Sequence, residues 1–193
     1  MKNAKVKEIV VPAVSLFLIC AAVTALLALT NQVTAPRISQ LAIETENRTK
    51  NEVLADAKSF SEAKTASLED SKYTYYEGLD GSGKIIGYVF STSAKGYGGD
   101  IDVMVGIDSN GVIKGVSILS INETAGLGMN AKNDSFLNQY NGKTGELGVI
   151  KNGTPAENEI QALTGATITS KAMTNAVNIA QSLYTQVGGE NDG

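Results

Sequence analysis

Hydrophobic and polar residues divide this chain of 193 residues into an apolar N-terminal run and a longer mixed region. The run covers residues 9–30 and contains no charged side chain. A helix of that length crosses the hydrocarbon core of a bilayer, so we predict a transmembrane helix over residues 9–30. Lys2, Lys5 and Lys7 precede it and only Glu8 opposes them. The positive-inside rule therefore predicts that residues 1–8 are cytoplasmic and that most of the chain is extracytoplasmic.

Three alternatives to a membrane span exist for this run. A cleaved signal peptide has a shorter apolar core and a small-residue cleavage site, and Val33-Thr34-Ala35 followed by Pro36 is a poor one. A lipoprotein anchor would use Cys20, but Ile19 is too large before it and the apolar run continues past it. The length of the run argues against a buried core helix. A span with Cys20 as an ordinary apolar helix residue is the prediction.

The region after the span predicts a linker and a second helix. Pro36 predicts an extended step at residues 34–36, because the residue before proline avoids the helical region. Residues 37–60 carry an interrupted apolar stripe among charges, which is typical of a solvated spacer helix. We therefore expect a juxtamembrane linker and helix over 31–60, a folded domain over 61–187 and a flexible tail over 188–193.

Four segments in the middle of the chain have the β-branched and aromatic residues of strands. They are residues 73–79, 84–91, 101–107 and 112–119. An Asp-Gly-Ser-Gly turn separates the first pair and an Asp-Ser-Asn-Gly turn the second, which predicts two antiparallel hairpins. The tyrosines of these strands are expected in the core: Tyr73, Tyr75, Tyr76 and Tyr88.

The last long segment, residues 169–187, has the period of an amphipathic helix. One face collects its apolar residues: Ala172, Met173, Ala176, Val177, Ala180, Leu183 and Tyr184. We expect this face to pack on the sheet and to fix the direction of the helix N-terminus. The predicted fold class is α+β: a single N-terminal transmembrane helix, a juxtamembrane helix, and an antiparallel β-sheet packed with helices.

Composition narrows the possible functions. The net charge is -4 with no basic cluster in the second half, which argues against nucleic-acid binding. Histidine is absent, so histidine acid–base catalysis and histidine metal or haem sites are excluded. A single cysteine allows neither an internal disulfide nor a cysteine-ligated iron–sulfur cluster within the chain. No catalytic or metal-binding residues are predicted, and any redox chemistry requires a non-metal cofactor.

A small polar turn, Thr164-Gly165-Ala166-Thr167, stands directly before the last helix. The first N–H groups of a helix lack internal partners and lie at its positive end, so this terminus suits a phosphate group. Gly165 and Ala166 allow a ligand to approach the main chain. Local chemistry alone favours a simpler interpretation, in which Thr164 or Thr167 is only the helix cap. Two glycine-rich segments, residues 94–99 and 122–128, taken alone are connecting loops.

Together these segments resemble, in order, the FMN-binding domain family. Thr164-Gly165-Ala166-Thr167 with Ile168-Thr169-Ser170 is similar to the family's flavinylation motif, whose last threonine carries FMN through a phosphoester bond installed by a flavin transferase. Residues 96–99 and 103–108 resemble its GYGG segment and following strand, and residues 123–128 resemble the loop that lies against the flavin. The resemblance implies FMN covalently attached to Thr167, with these cofactor-binding residues: Thr164, Gly165, Ala166, Ile168, Thr169, Lys171, Glu123, Thr124, Gly126, Leu127 and Gly128.

The chain departs from the family pattern at a few positions. Gln161 stands where an acidic residue usually opens the motif, and Ala125 replaces a proline. The histidine that usually precedes Glu123 is absent, and Phe136, in a segment that resembles the family's next helix start, replaces a common tryptophan.

The family includes the G subunit of the Rnf electron transport complex and the C subunit of the sodium-pumping quinone reductase. Residues 30–38 resemble the segment after the anchor in the Rnf protein, and the short length also favours that assignment. The resemblance implies an electron relay between reduced ferredoxin and NAD, coupled to sodium or proton export, that does not itself bind NAD. Implied partners are the other Rnf proteins, the flavin transferase and the lipid bilayer. The alternatives are the quinone-reductase protein, a stand-alone extracellular flavin carrier, and an anchored non-redox binding or scaffold domain.

Overall fold

The computed structural model describes residues 2–188, so most of the predicted tail lies outside the described residues. The chain divides into two compact units, Met1–Thr45 and Glu46–Gly193. The elements in chain order are α1 (Lys2–Val53), β1 (Ser59–Phe60), β2 (Lys64–Leu68), β3 (Ser71–Leu79), β4 (Ile85–Lys95), β5 (Asp100–Asp108), β6 (Ile113–Ser120), α2 (Asp134–Leu137), β7 (Gly148–Ile150), β8 (Glu159–Gln161) and α3 (Thr167–Gly188). Two 3₁₀ turns flank α2, at Gly128–Lys132 and Asn138–Tyr140.

The first unit is helical, and its apolar side chains are not packed against protein. Residues 10–34 of α1 are all exposed within the protein. Among the described residues, one helical stretch is long and apolar enough to cross a membrane, and it is the part of α1 from Val10 to Val53. The alternative of a buried core helix is therefore wrong, while a bilayer would cover the exposed apolar surface.

The expected extended step at residues 34–36 is also wrong, because α1 continues through Pro12 and Pro36. Proline removes one helical N–H and biases the preceding residue, but the neighbouring backbone bonds can still form. Thr34 Oγ1 donates to the carbonyl of Thr30 at 2.9 Å within this part of the helix. The predicted spacer helix ends at Val53 rather than at residue 60, since Val53 and Leu54 are buried against the domain and β1 begins at Ser59.

The main sheet confirms the predicted antiparallel arrangement. Its strand order is β1-β3-β4-β5-β6, with β2 also pairing with β3. The four predicted strands correspond to β3, β4, β5 and β6. Both predicted turns close hairpins in the same way, because one aspartate oxygen accepts two later backbone N–H groups. Asp80 Oδ1 accepts from Ser82 and Lys84 at 2.7 and 3.0 Å, and Asp108 Oδ1 accepts from Asn110 and Val112 at 2.9 and 3.0 Å.

One face of the sheet carries the end of α1. Val53 and Leu54 pack there with Tyr76, Val89 and Met104. Glycines make the approach possible, since a Cβ at Gly106 would collide with the carbonyl oxygen of Val53. Gly115, paired with Gly106 on the neighbouring strand, would place a Cβ 2.8 Å from the Val53 Cα.

An ion pair between the buried Lys50 and the partly exposed Glu46 lies at the edge of this contact. The Lys50 ammonium is 3.2 Å from Glu46 Oε1 and 4.0 Å from the centre of the Tyr76 ring. The Tyr76 hydroxyl donates to the same Glu46 oxygen at 2.6 Å. Burial, and then this hydrogen bond, raise the pKa of Tyr76 to about 12.

The opposite face of the sheet carries α3, as predicted. Met173, Ala176, Val177, Ala180 and Leu183 are fully buried, while Tyr184 is half-buried at the rim and its hydroxyl donates to the Ser109 carbonyl at 2.8 Å. All four predicted core tyrosines contact one of the two clusters, but Tyr73 and Tyr75 are only partly buried. This packing fixes the direction of α3 and brings its first turn to one end of the sheet.

Candidate functional site

Three segments distant in sequence meet at that end of the sheet. The β4–β5 loop is there because Lys95 pairs with Asp100, and β6, which runs antiparallel to β5, ends there with Ser120. The loop after β6 and the first turn of α3 complete the arrangement. Between them lies a cleft of about 570 Å³. It is lined by Tyr97, Glu123, Thr124, Leu127, Gly128, Gly165, Ala166, Thr167, Ile168 and Thr169.

The cleft brings together most of the predicted cofactor-binding residues. All those in its lining except Tyr97 were predicted, and Gly126, Thr164 and Lys171 lie outside it. Gly126 forms the turn of the second loop, with φ at 76°, and its carbonyl accepts from the Asn130 amide at 2.9 Å. Thr164 lines a neighbouring cavity, and Lys171 is exposed in the first turn of α3 without lining either one.

Glu123 joins the two loops. Its Oε1 accepts the backbone N–H of Tyr97 at 2.7 Å and that of Gly98 at 3.3 Å. A Cβ on Gly96 would collide with this same oxygen. A Cβ on Gly128 would lie 2.7 Å from both Glu123 Oε2 and Thr169 Oγ1. The glycines therefore allow the carboxylate to contact the first loop on one side and the start of α3 on the other.

The motif turn is closed by its own hydrogen bonds. Ala166 N–H donates to the Leu163 carbonyl at 3.0 Å, and Gly165 has φ at 75°, which favours glycine. The Ser170 hydroxyl accepts from Leu163 N–H at 2.9 Å and donates to the Ala166 carbonyl at 3.0 Å. Ser170 N–H also donates to that carbonyl at 3.0 Å. Ala166 is thus the N-cap by its backbone, and Thr167 is the first helical residue.

The hydroxyls of the motif are therefore not used as helix caps. Alanine has no capping side chain, and neither Thr164 nor Thr167 makes a side-chain hydrogen bond to any described residue. Thr169 is only 1% exposed, and within residues 2–188 its hydroxyl has no protein partner either. The backbone N–H groups of residues 167–169 precede the first helical bond, so they remain available to a ligand.

Apolar side chains form the other part of the cleft. In the described part of residues 46–188, the exposed large hydrophobic side chains are Tyr97, Leu127 and Ile168, at 72%, 43% and 55% exposure. All three line the cleft. An apolar surface beside a few convergent donors is typical of a small-molecule site, and the volume lies in the usual range. Sequence reasoning missed Tyr97, although an aromatic residue between glycines in the first loop was the available signal.

Comparisons with known proteins agree with this description. The FMN-binding domain family matches residues 96–182, and the RnfG N-terminal region matches residues 1–53. The chain is 38% identical over 185 residues to the G subunit of the Na(+)-translocating ferredoxin:NAD(+) oxidoreductase complex of Acetobacterium woodii, covering 88% of each chain. It is also 38% identical over 160 residues to the G subunit of the proton-translocating complex of Clostridium ljungdahlii, covering 82% of each.

A solved structure supports the fold. The crystal structure of the C subunit of the Na(+)-translocating NADH-quinone reductase from Parabacteroides distasonis superimposes with a TM-score of 0.55 at 20% identity. The match covers 74% of this chain and 82% of that one. The matches to the two Rnf relatives, which cover 88% and 82% of this chain, confirm the assignment that residues 30–38 favoured. The chain is a member of the RnfG family of ion-translocating ferredoxin:NAD(+) oxidoreductase (Rnf) complexes, with an FMN-binding domain behind an N-terminal membrane helix.

Proposed function

We propose that this chain relays electrons within an ion-translocating Rnf complex through an FMN attached covalently to Thr167. The observation that carries the proposal is the state of that residue. Thr167 is half-buried in the wall of the cleft, it begins α3, and its hydroxyl has no hydrogen-bonding role among the described residues. A hydroxyl so placed is accessible for modification, and its esterification breaks no existing hydrogen bond.

The chemistry of the cleft fits FMN. Tyr97, Leu127 and Ile168 offer an apolar surface to the flavin ring, and their burial by a ligand would remove them from water. The free N–H groups at the start of α3 and the Thr169 hydroxyl are donors suited to a phosphate. FMN supplies the electron-transfer chemistry, and the protein binds and orients it.

The attachment is an exchange at phosphorus. The Thr167 Oγ1–P bond forms as the P–O bond to a leaving phosphate breaks in a flavin nucleotide activated as a pyrophosphate, and the hydroxyl proton passes to water. Phosphorus and flavin keep their oxidation states. A flavin transferase is the proposed partner for this step, as the resemblance of residues 164–170 to the flavinylation motif implies. The bond prevents loss of the cofactor outside the cytoplasm.

The same proposal includes the topology of the chain. Residues 1–8 lie in the cytoplasm, residues 9–30 cross the lipid bilayer, residues 31–45 lead away from it, and the domain that begins at residue 46 is extracytoplasmic. The three lysines before the span support this orientation. Electrons pass between this flavin and cofactors of neighbouring Rnf proteins, and the complex couples their flow from ferredoxin to NAD to export of an ion.

Two substitutions at Thr167 test the attachment. The full chain is expressed together with a flavin transferase, denatured, and examined for flavin fluorescence on the gel. Thr167→Val keeps the shape and removes the hydroxyl, so we expect a dark band, while Thr167→Ser keeps the hydroxyl and should remain fluorescent. Equal fluorescence of wild type and Thr167→Val would refute attachment at this oxygen, and a dark wild-type band would refute covalent attachment altogether.

A further inference from the structure

A second, smaller cavity lies beside the motif turn. It measures about 210 Å³ and is lined by Lys151, Asn152, Ala162, Leu163, Thr164, Gly165 and Thr167. Gly165 and Thr167 also line the larger cleft, so both cavities meet at these two residues. Their other linings differ. The large cleft has the three exposed apolar side chains together with Glu123, Thr124 and Thr169, whereas the small cavity has Lys151, Asn152 and Thr164 together with Ala162 and Leu163.

The backbone of Lys151 is attached to the strand that leads into the motif. Lys151 directly follows β7, which pairs in parallel with β8 so that Ile150 lies beside Gln161. The Gln161 side-chain amide donates to the Lys151 carbonyl at 2.9 Å. Ala162 N–H donates to the Ile150 carbonyl at 2.8 Å. These bonds hold Lys151 next to Thr164 although the two are distant in sequence.

The charge of Lys151 is uncompensated within the described protein. Its side chain is exposed, and its ammonium has no ion pair or hydrogen bond to any of residues 2–188. A phosphate joined to both a flavin and Thr167 keeps one negative charge. That phosphorus is bonded directly to Thr167 Oγ1, so it must lie close to the residue at which the two cavities meet.

We infer that the small cavity is the phosphate subsite, with Lys151 as the counter-ion and Thr164 as a hydrogen-bond donor, while the flavin ring occupies the large cleft. This inference rests on the proposed function. It assigns the cationic role to Lys151 instead of the sequence-based candidate Lys171, which lines neither cavity. The free N–H group of Thr167, which lines both cavities, adds a donor at the same turn.

Reversible binding of two flavins tests the subsite. The full-length Thr167→Val protein in detergent micelles is titrated with FMN and with riboflavin, which lacks the phosphate. Lys151→Gln should weaken FMN binding about threefold to tenfold and leave riboflavin binding nearly unchanged, since only FMN has the charge. The FMN effect should shrink at high salt. Lys132→Gln is the matched control, because Lys132 is also exposed and lines neither cavity.

Three results would overturn the inference: an equal loss of FMN and riboflavin affinity, no selective loss with Lys151→Gln, or a larger selective loss with Lys171→Gln. If Thr167→Val binds neither flavin, the subsite is tested instead by ³¹P NMR of the chain that carries covalently attached flavin. The phosphorus resonance should shift with Lys151→Gln and not with Lys132→Gln, and an unmoved resonance refutes the subsite. If the protein carries flavin but the phosphorus resonance does not move in Lys151→Gln, only this inference is refuted. If the wild-type protein carries no flavin, the proposed function is refuted.

Discussion

Gly128 is the position where one added methyl group should disturb the site most directly. In Gly128→Ala the new Cβ would lie 2.7 Å from Glu123 Oε2, 2.7 Å from Thr169 Oγ1 and 2.8 Å from Glu123 Cβ. Ordinary contacts of a Cβ begin at 3.4 Å, so each neighbour would have to retreat by roughly 0.6 Å or more. Glu123 Cβ lies next to the main chain, so rotation of the carboxylate alone does not relieve the contact.

The loss of stability in Gly128→Ala depends on the hydrogen bonds that fix the Glu123 side chain. Its carboxylate accepts backbone N–H groups of Tyr97 and Gly98, and moving it stretches or breaks those bonds. A hydrogen bond to a charged group contributes about 1.5–3 kcal/mol, and an extra methyl in a packed site costs about 1–3 kcal/mol. Because Glu123 is partly exposed, water compensates some of the loss. We expect Gly128→Ala to lower the free energy of unfolding by about 2–3 kcal/mol.

Urea unfolding of the full chain in detergent micelles measures this change. The signal is tyrosine fluorescence, since the chain contains no tryptophan. Gly126→Ala is the matched control in the same loop, because its Cβ would meet nothing within 4 Å and only its φ of 76° is unfavourable. That strain costs about 1 kcal/mol. A loss of stability in Gly128→Ala no larger than that in Gly126→Ala would contradict this prediction.

Three further predictions concern other positions in the domain. Gly106→Ala should lower the free energy of unfolding by about 2–5 kcal/mol, because the new Cβ would collide with the Val53 carbonyl and displace a buried helix end. The control is Gly81→Ala, whose Cβ would have no neighbour within 4 Å, and it should be nearly neutral in the same urea titration. Tyr76 stays protonated in the folded protein to about pH 12, whereas the unfolded chain ionises near its ordinary pKa of 10.0. Stability should therefore fall as the pH rises from about 10 to 12, by up to about 2–3 kcal/mol from this group, and urea titrations of Tyr76→Phe should show a shallower fall. Gly165→Ala should cost about 1 kcal/mol in unfolding, because φ is 75° there and the Leu127 side chain would be 3.0 Å from the new Cβ; an unchanged urea midpoint would contradict this.

Elements with local signals were predictable from the sequence. The hairpins β3–β4 and β5–β6 are closed by Asp80 and Asp108, whose side chains bond backbone groups two and four residues later. The apolar face of α3 repeats with the helical period and is buried as expected. The short strands had no such signal, because β7 and β8 contain three residues each and exist through their pairing with each other.

The prediction near Pro36 failed for a physical reason. A proline removes one hydrogen bond, but the residues on both sides of Pro36 favour or tolerate the helix, and α1 continues through it. The preference of the residue before Pro36 for an extended conformation is therefore weaker here than the preference of the surrounding segment for a helix. The end of α1 at Val53 depends on contacts with glycines of β5 and β6, which no local pattern announces.

The site was predictable in its chemistry and only partly in its geometry. The motif and the Glu123 loop carried recognisable residues, and the structure brings them to one cleft. That Ala166 rather than a threonine is the N-cap follows from the turn closed by Ser170. The position of Lys151 beside Thr164 depends on the parallel pairing of β7 with β8, which the sequence did not indicate.

The most direct test of the central proposal is the mass of this protein purified from its native complex. We predict one added FMN less one water, and fragmentation of the peptide containing residues 161–171 should place it on Thr167. The unmodified mass, or an adduct on any other residue, would contradict the proposal.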